Sequence, residues 1–141
     1  IAVAGVREGI ARGEALRATG HYPEGLGLAT RAVAGAAVVD YEPVQAEALA
    51  LRGRLLTQTG DMQGAEATLL AAVELAEANR HDELAADIWL DLVRLANQRQ
   101  MDPARGAAWI QRARASQRRI GDPRARRVRA RTSLGSTKTW L

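Results

Sequence analysis

The chain has 141 residues, a formal net charge of +4, no cysteine and five aromatic side chains, none of them Phe. This length suits one small domain, and the lack of cysteine excludes a disulfide framework and a thiolate metal site. No run approaches about 18 apolar residues, so we expect no membrane-spanning helix. Because the chain opens with Ile1 and shows no signal-peptide pattern, we expect a cytoplasmic fragment of a longer protein.

Charge divides the chain into an acidic body and a basic end. Up to residue 103 there are 9 Arg against 15 acidic residues, a balance of −6; from residue 104 the balance is +10. Ala and Leu dominate and β-branched residues are sparse, which favours an all-α fold. The strong preference for Arg over Lys suggests a bacterial, GC-rich coding sequence.

Apolar residues recur at helical spacing along the whole chain. In the first stretch Gly5, Gly9 and Gly13 repeat every four residues, as in a membrane dimer motif. Arg7 and Arg12 lie between them, which favours close helix packing in water instead. The predicted helices are 2–19, 23–37, 43–59, 62–79, 82–99, 103–119 and 124–140.

The stretch 46–75 is the clearest helical hairpin. Its first helix carries Leu49, Gly53 and Leu56 on one face, and its second carries Ala65, Leu69, Ala72 and Val73. At the turn, glycine suits the left-handed C-cap and aspartate can accept from the free N–H groups of the next helix. The turn is Gly60-Asp61.

An internal repeat has a period of about 40 residues. Identities at this spacing fall in both helices of the hairpin, which indicates stacked, equivalent helix pairs. The matched pairs are Arg12/Arg52, Gly13/Gly53, Leu16/Leu56, Thr19/Thr59, Gly20/Gly60, Ala32/Ala72 and Val33/Val73.

A third unit follows once one extra residue is allowed near Gln100. Asp102-Pro103 is a strong helix start, because an acid caps the helix and proline at its first position loses no needed hydrogen bond. Gly121-Asp122-Pro123 repeats that signal and predicts the first helix of a truncated fourth unit. The predicted units are 1–40, 41–80, 81–121 and 122–141 of a single domain.

These features resemble the tetratricopeptide repeat. The residues that carry the resemblance are Gly53, Leu56, Gly60-Asp61, Ala65, Leu69 and Ala72. The resemblance implies a right-handed α-solenoid of antiparallel helix pairs, about three and a half units long, in which the first helices line a concave groove for a peptide or a partner helix. Trp89 stands where the family commonly has an aromatic residue.

By matched position, the resemblance places the groove on the first helix of each unit. Arg54 and Arg94 are equivalent and could each bind a carboxylate or phosphate in bidentate fashion, with Leu51 and Leu90 as apolar contacts. An ordinary solvated face with Arg–Glu pairs is the alternative. The positions are Arg7, Ile10, Glu14, Arg17, Glu47, Ala50, Leu51, Arg54, Thr57, Gln58, Asp87, Leu90, Asp91, Arg94 and Gln98.

The basic end offers a second candidate site. Such a density of arginine could contact phosphates of a nucleic acid or another polyanion, but no aromatic residues are interleaved to stack bases. A solvated face, or pairing with the acidic body of a neighbouring unit or a second copy, is the competing interpretation. The cluster comprises Arg112, Arg114, Arg118, Arg119, Arg124, Arg126, Arg127, Arg129 and Arg131.

Other chemistry has little basis in the sequence. Glu83, Asp87 and Asp91 form an acidic row at helical spacing, yet no loop would wrap them around a cation, so we expect no metal and no cofactor. The three serines lie outside any nucleophile motif, and no carboxylates converge on a predicted pocket. We therefore expect no catalysis from this fragment.

The sequence thus predicts a protein-interaction, scaffold or regulatory module that binds a protein or peptide rather than a nucleic acid or a membrane. The later units also resemble the region after the kinase domain in some bacterial eukaryotic-like serine/threonine kinases, through AEA, RHDELAADIWL, DPARG and GDP. No Gly-rich loop with its Lys and no His-Arg-Asp catalytic loop occurs in this chain. A similar helical array follows the nucleotide-binding core of some bacterial transcription regulators, and self-association through the final half-unit stays open.

Overall fold

The computed structural model describes residues 2–100 and 102–121, which form α-helices joined by short turns, with no strand among them. The all-α prediction is confirmed, and six predicted helices are present with small shifts at their ends. The seventh, predicted at 124–140, lies outside the described residues. The helices are α1 (Ala2–Ala18), α2 (Tyr22–Val39), α3 (Glu42–Thr59), α4 (Met62–Ala78), α5 (Asp82–Arg99) and α6 (Pro103–Arg119).

A residue with a positive φ follows the end of each helix, and these residues recur at a spacing of 20 or 21. A left-handed residue lets a helix stop and the chain reverse within two or three residues. Glycine adopts this conformation without strain, whereas the three other residue types do so at a cost. These positions are Gly20, Asp40, Gly60, Arg80, Gln100 and Gly121.

The predicted caps at the turn between α3 and α4 are present. Gly60 has a φ of 96°, and the Asp61 N–H donates to the carbonyl of Leu56 at 2.9 Å. The Asp61 carboxylate accepts from the Gly64 N–H at 2.9 Å. Asp102 caps α6 in the same way, accepting from the Ala104 N–H at 3.1 Å. These short-range bonds explain why the helix ends could be predicted so closely.

Each helix packs against the next along the chain, and the first helices of successive hairpins, α1, α3 and α5, also contact one another. Glycine permits the closest approaches. A Cβ added at Gly13 would lie 2.8 Å from the Leu51 side chain, and one added at Gly53 would lie 2.6 Å from that of Leu69. Equivalent glycines therefore serve helix contacts in both units, although the leucines that fill the space come from different helices.

The buried residues form three hydrophobic clusters of unequal size. The largest cluster contains residues of α3, α4, α5 and α6, among them Trp89 and Trp109, which are 5% and 8% exposed. Two smaller clusters join α1, α2 and α3 through alanines and a few larger side chains. In α1 only Gly13 is fully buried. Among the described residues, no helix has the length and apolar character needed to cross a membrane.

Candidate partner-binding cleft

Two ion pairs connect the three first helices. Arg7 of α1 donates to Glu47 of α3 at 2.9 Å, and Arg54 of α3 donates to Asp91 of α5 at 2.7 Å. The Arg7–Glu47 pair lies at the surface, with side chains 49% and 22% exposed. The Arg54–Asp91 pair is more enclosed, at 22% and 14%. In both pairs the arginine lies on the earlier helix and the acid on the next first helix, so ion pairs link α1 to α3 and α3 to α5.

A cleft of about 180 Å³ opens beside the Arg54–Asp91 pair. It is bordered by the C-terminal halves of α1, α3 and α5, so residues far apart in sequence meet at one place. Its lining supplies three guanidinium groups, two amides and a hydroxyl, against one carboxylate. The lining residues are Arg17, Arg54, Thr57, Gln58, Asp91, Arg94 and Gln98.

Arg54 lies at the centre of this electrostatic arrangement. Burial acts to lower the pKa of its guanidinium, but the attraction and hydrogen bond of Asp91 outweigh burial and leave that pKa above its ordinary value. Glu14 and Asp87 add to the same effect through space. Arg54 is thus a permanent cation already engaged by the protein.

The other two arginines of the cleft are more accessible. Arg17 pairs with Glu14 three residues before it on α1, and its side chain is 28% exposed. Arg94 reaches the second oxygen of Asp91 at 3.4 Å and is 38% exposed. Pairs of this kind on a single helix face contribute only a few tenths of a kcal/mol, so an incoming anion could compete for either cation.

At the outer edge of the first helices, the Arg7 guanidinium has a raised pKa, because it hydrogen-bonds to the Glu47 carboxylate and is attracted by it. Glu47 is therefore engaged away from the cleft. Asp87 also lies outside the lining, although its charge acts on Arg54. These two acids belong to the framework around the cleft.

The two leucines expected to contact a partner are in the core. Leu51 and Leu90 are each 1% exposed, so neither offers apolar surface to a ligand. The first helices are packed on more than one side, and the face left to solvent is narrower than the resemblance implied. This corrects the expected apolar component of the groove, and what remains is polar and cationic.

The second predicted site is only partly described. Arg124, Arg126, Arg127, Arg129 and Arg131 lie outside the described residues. On α6, Arg119 pairs with Glu77 at 3.3 Å, and Arg112 stacks over the ring of Trp89. Along the acidic row on α5, no group of three His, Asp or Glu side chains converges as a metal site in the described part of the chain.

One polar arrangement was missed by the sequence analysis. The Trp89 indole N–H donates to the Glu77 carboxylate at 3.0 Å. On α6, Arg112 lies over the Trp89 ring and Arg119 pairs with Glu77. The contacting pairs are 12 to 42 positions apart in the chain, so no local motif marks them. The available signal was a comparison between units, since the matching positions of the preceding unit carry no arginine.

Comparison of the chain with protein-family models, with curated proteins and with solved structures gives no match.

Proposed function

We propose that the chain is a protein-interaction module, a scaffold or regulatory part of a larger bacterial protein, built as a right-handed α-solenoid of tetratricopeptide-like helix pairs. Its ligand is a peptide segment or partner helix that carries a carboxylate and lies across α1, α3 and α5. The observation that carries this proposal is the cleft that these three first helices form together, with three arginines on its wall.

The lining favours a peptide over an apolar small molecule. The glutamine side chains present both donors and acceptors, which suit the alternating N–H and C=O groups of an extended backbone. The Thr57 hydroxyl donates to the Gly53 carbonyl at 3.0 Å and offers the ligand an acceptor. Guanidinium groups bind carboxylates in bidentate fashion, and such charge-assisted bonds are about twice as strong as neutral ones. The core position of Leu51 and Leu90 leaves polar contacts to provide most of the recognition.

Within the cleft, the three arginines have different roles. Arg54 is held by Asp91 at 2.7 Å and shapes the wall. Arg17 and Arg94 pair with acids on their own helices and have more exposed side chains than Arg54, so we expect them to exchange those partners for the ligand carboxylate. This division selects Arg17 and Arg94 as the residues whose substitution affects binding with the least damage to the fold.

The test is selection from a display library of random linear peptides, followed by affinity measurement with a labelled peptide from the enriched pool. We expect enrichment of acidic peptides, with Arg94→Glu and Arg17→Glu each weakening binding at least about tenfold, the loss expected for one charge-assisted pair. Arg31→Glu is the matched control, because Arg31 is exposed on α2 and makes no described contact with the cleft. Equal affinity in all three variants would remove the cleft as the binding site.

A further inference from the structure

A second cavity, of about 440 Å³, lies where the turn between α4 and α5 meets α6. All five of its lining residues are charged: Glu77 at the end of α4, Arg80 in the turn, Asp82 at the start of α5, and Arg112 and Arg119 on α6. It shares no lining residue with the partner-binding cleft. Three cations against two anions leave an excess of positive charge at this place.

Only two of these five charged side chains, Glu77 and Arg119, pair with each other. Oε2 of Glu77 accepts from the Trp89 indole N–H at 3.0 Å and from Arg119 at 3.3 Å. Arg119 also donates to the hydroxyl of Ser116 at 3.0 Å. Glu77 and Arg119 are therefore engaged with each other, and the charges left over are those of Arg80, Arg112 and Asp82.

The Arg112 side chain contacts the Trp89 ring but forms no ion pair with an acid among the described residues. Its guanidinium carbon lies over the Trp89 ring, 5.5 Å from the ring centre, which is a cation–π contact. The N–H donors of a guanidinium lie along its edge, and within the described residues no acceptor is bonded to those of Arg112. The side chain of Arg80 likewise makes no described hydrogen bond or ion pair.

The preceding turn of the same conformation has no arginine at the matched positions. At the matched positions, 40 residues earlier for the turn and 41 for the second helix, the chain has Asp40, Ala71 and Ala78 in place of Arg80, Arg112 and Arg119. That turn has the same left-handed conformation, with a φ of 57° against 54°. Helices also pack around that turn without any arginine, with Leu49 and Ala37 where the second turn has Trp89 and Glu77. The contacts of Arg112 with Trp89 and of Arg119 with Glu77 therefore belong to the second turn alone, and Arg80 makes no such contact among the described residues.

We propose that this cavity binds a phosphate monoester or inorganic phosphate as a dianion, with Arg80 and Arg112 as its principal ligands and Arg119 as a supporting donor. Two guanidinium edges supply bidentate donors to tetrahedral oxygens, and the two positive charges balance the dianion. Asp82 opposes binding through its like charge and lowers the affinity of the site.

The test uses Trp89 as a local reporter, because its indole N–H is bonded to the Glu77 side chain in the wall of the cavity. The full chain in chloride buffer is titrated with inorganic phosphate and with a phosphoserine peptide, while the indole ¹⁵N–¹H resonance of Trp89 is followed. Sodium chloride at matched ionic strength gives the screening baseline. We expect a saturable shift with both phosphates, and tighter binding of the peptide would assign the site to a phosphorylated side chain rather than to free phosphate.

Substitutions of the lining residues should change the phosphate affinity in opposite directions. Arg112→Gln and Arg80→Gln should each weaken binding about tenfold or more, and Asp82→Asn should strengthen it several-fold by removing the opposing charge. Arg31→Gln on α2 is the matched control and should leave the affinity unchanged. A Trp89 resonance that responds to phosphate no more than to chloride into the tens of millimolar would overturn the proposal. So would saturable binding that survives in both arginine variants.

Discussion

The Arg54–Asp91 pair should stabilise the array more than any surface ion pair, and this can be measured by a double-mutant cycle. The Arg54 Nε and Asp91 Oδ2 atoms are 2.7 Å apart, and the two side chains are 22% and 14% exposed, respectively. With charge centres about 4 Å apart and an effective dielectric constant of about 20, the attraction is about 4 kcal/mol. Desolvation of both groups offsets much of it, leaving a coupling free energy of about 1–2 kcal/mol.

The cycle compares the chain with Arg54→Met, Asp91→Asn and the double variant. Asp91→Asn removes the carboxylate that pairs with Arg54, and Arg54→Met leaves Asp91 with its longer pair to Arg94 at 3.4 Å. Each single change should cost about 2 kcal/mol of unfolding free energy, whereas the double variant should lose less than the sum. Urea unfolding followed by circular dichroism is the assay, and a change of 2 kcal/mol moves the midpoint by about 1 M.

The Arg7–Glu47 pair provides the matched control, because it joins α1 to α3 as Arg54–Asp91 joins α3 to α5 but is 49% and 22% exposed. A second cycle with Arg7→Met and Glu47→Gln should give a coupling below about 1 kcal/mol, the usual size for exposed pairs. If the two couplings are equal, or if Arg54→Met is as stable as the unaltered chain, burial does not strengthen the inner pair and the argument fails.

Three further predictions concern helix packing and capping. Gly53→Ala should lose about 1–3 kcal/mol of unfolding free energy in urea titrations, because its Cβ would lie 2.6 Å from Leu69 carbons. Gly27→Ala should gain about 0.5–1 kcal/mol in the same assay, since its Cβ would meet nothing within 4 Å in a helix interior. Asp61→Ala should cost about 1 kcal/mol through the lost bond to the Gly64 N–H, with faster amide hydrogen exchange confined to the start of α4. Unchanged urea midpoints for both glycine variants would contradict the packing interpretation. Faster amide exchange across the whole chain in Asp61→Ala would contradict the capping role of Asp61.

Features that depend on neighbours in sequence were predictable. The caps at Asp61 and Asp102 need an acid a few residues before the N–H groups that it accepts from, and both bonds are present. The left-handed residue at Gly60 follows from the same local reasoning. The alanine- and leucine-rich composition was sufficient for the all-α class.

The surface of the cleft was less predictable, because exposure depends on how many neighbours a helix has. In α3, eight residues are buried, Leu51 among them, since that helix packs against α1, α2, α4 and α5. An amphipathic pattern for one packed face underestimates this burial. Ion pairs between units are equally hard to place from the period alone, since Arg7–Glu47 spans 40 residues and Arg54–Asp91 spans 37.

A repeated framework separates the residues that serve the fold from those that serve something else. Where equivalent positions agree, as at Gly13 and Gly53, the shared residue answers a shared packing demand. Where they differ while the turn keeps its conformation, as at Asp40 and Arg80, the backbone conformation does not require the residue found there. Among the arginines around the second turn, Arg80 meets this criterion, whereas Arg112 and Arg119 also contact Trp89 and Glu77, whose matched positions are Leu49 and Ala37. Titration of the Trp89 resonance therefore tests the criterion itself as well as the site.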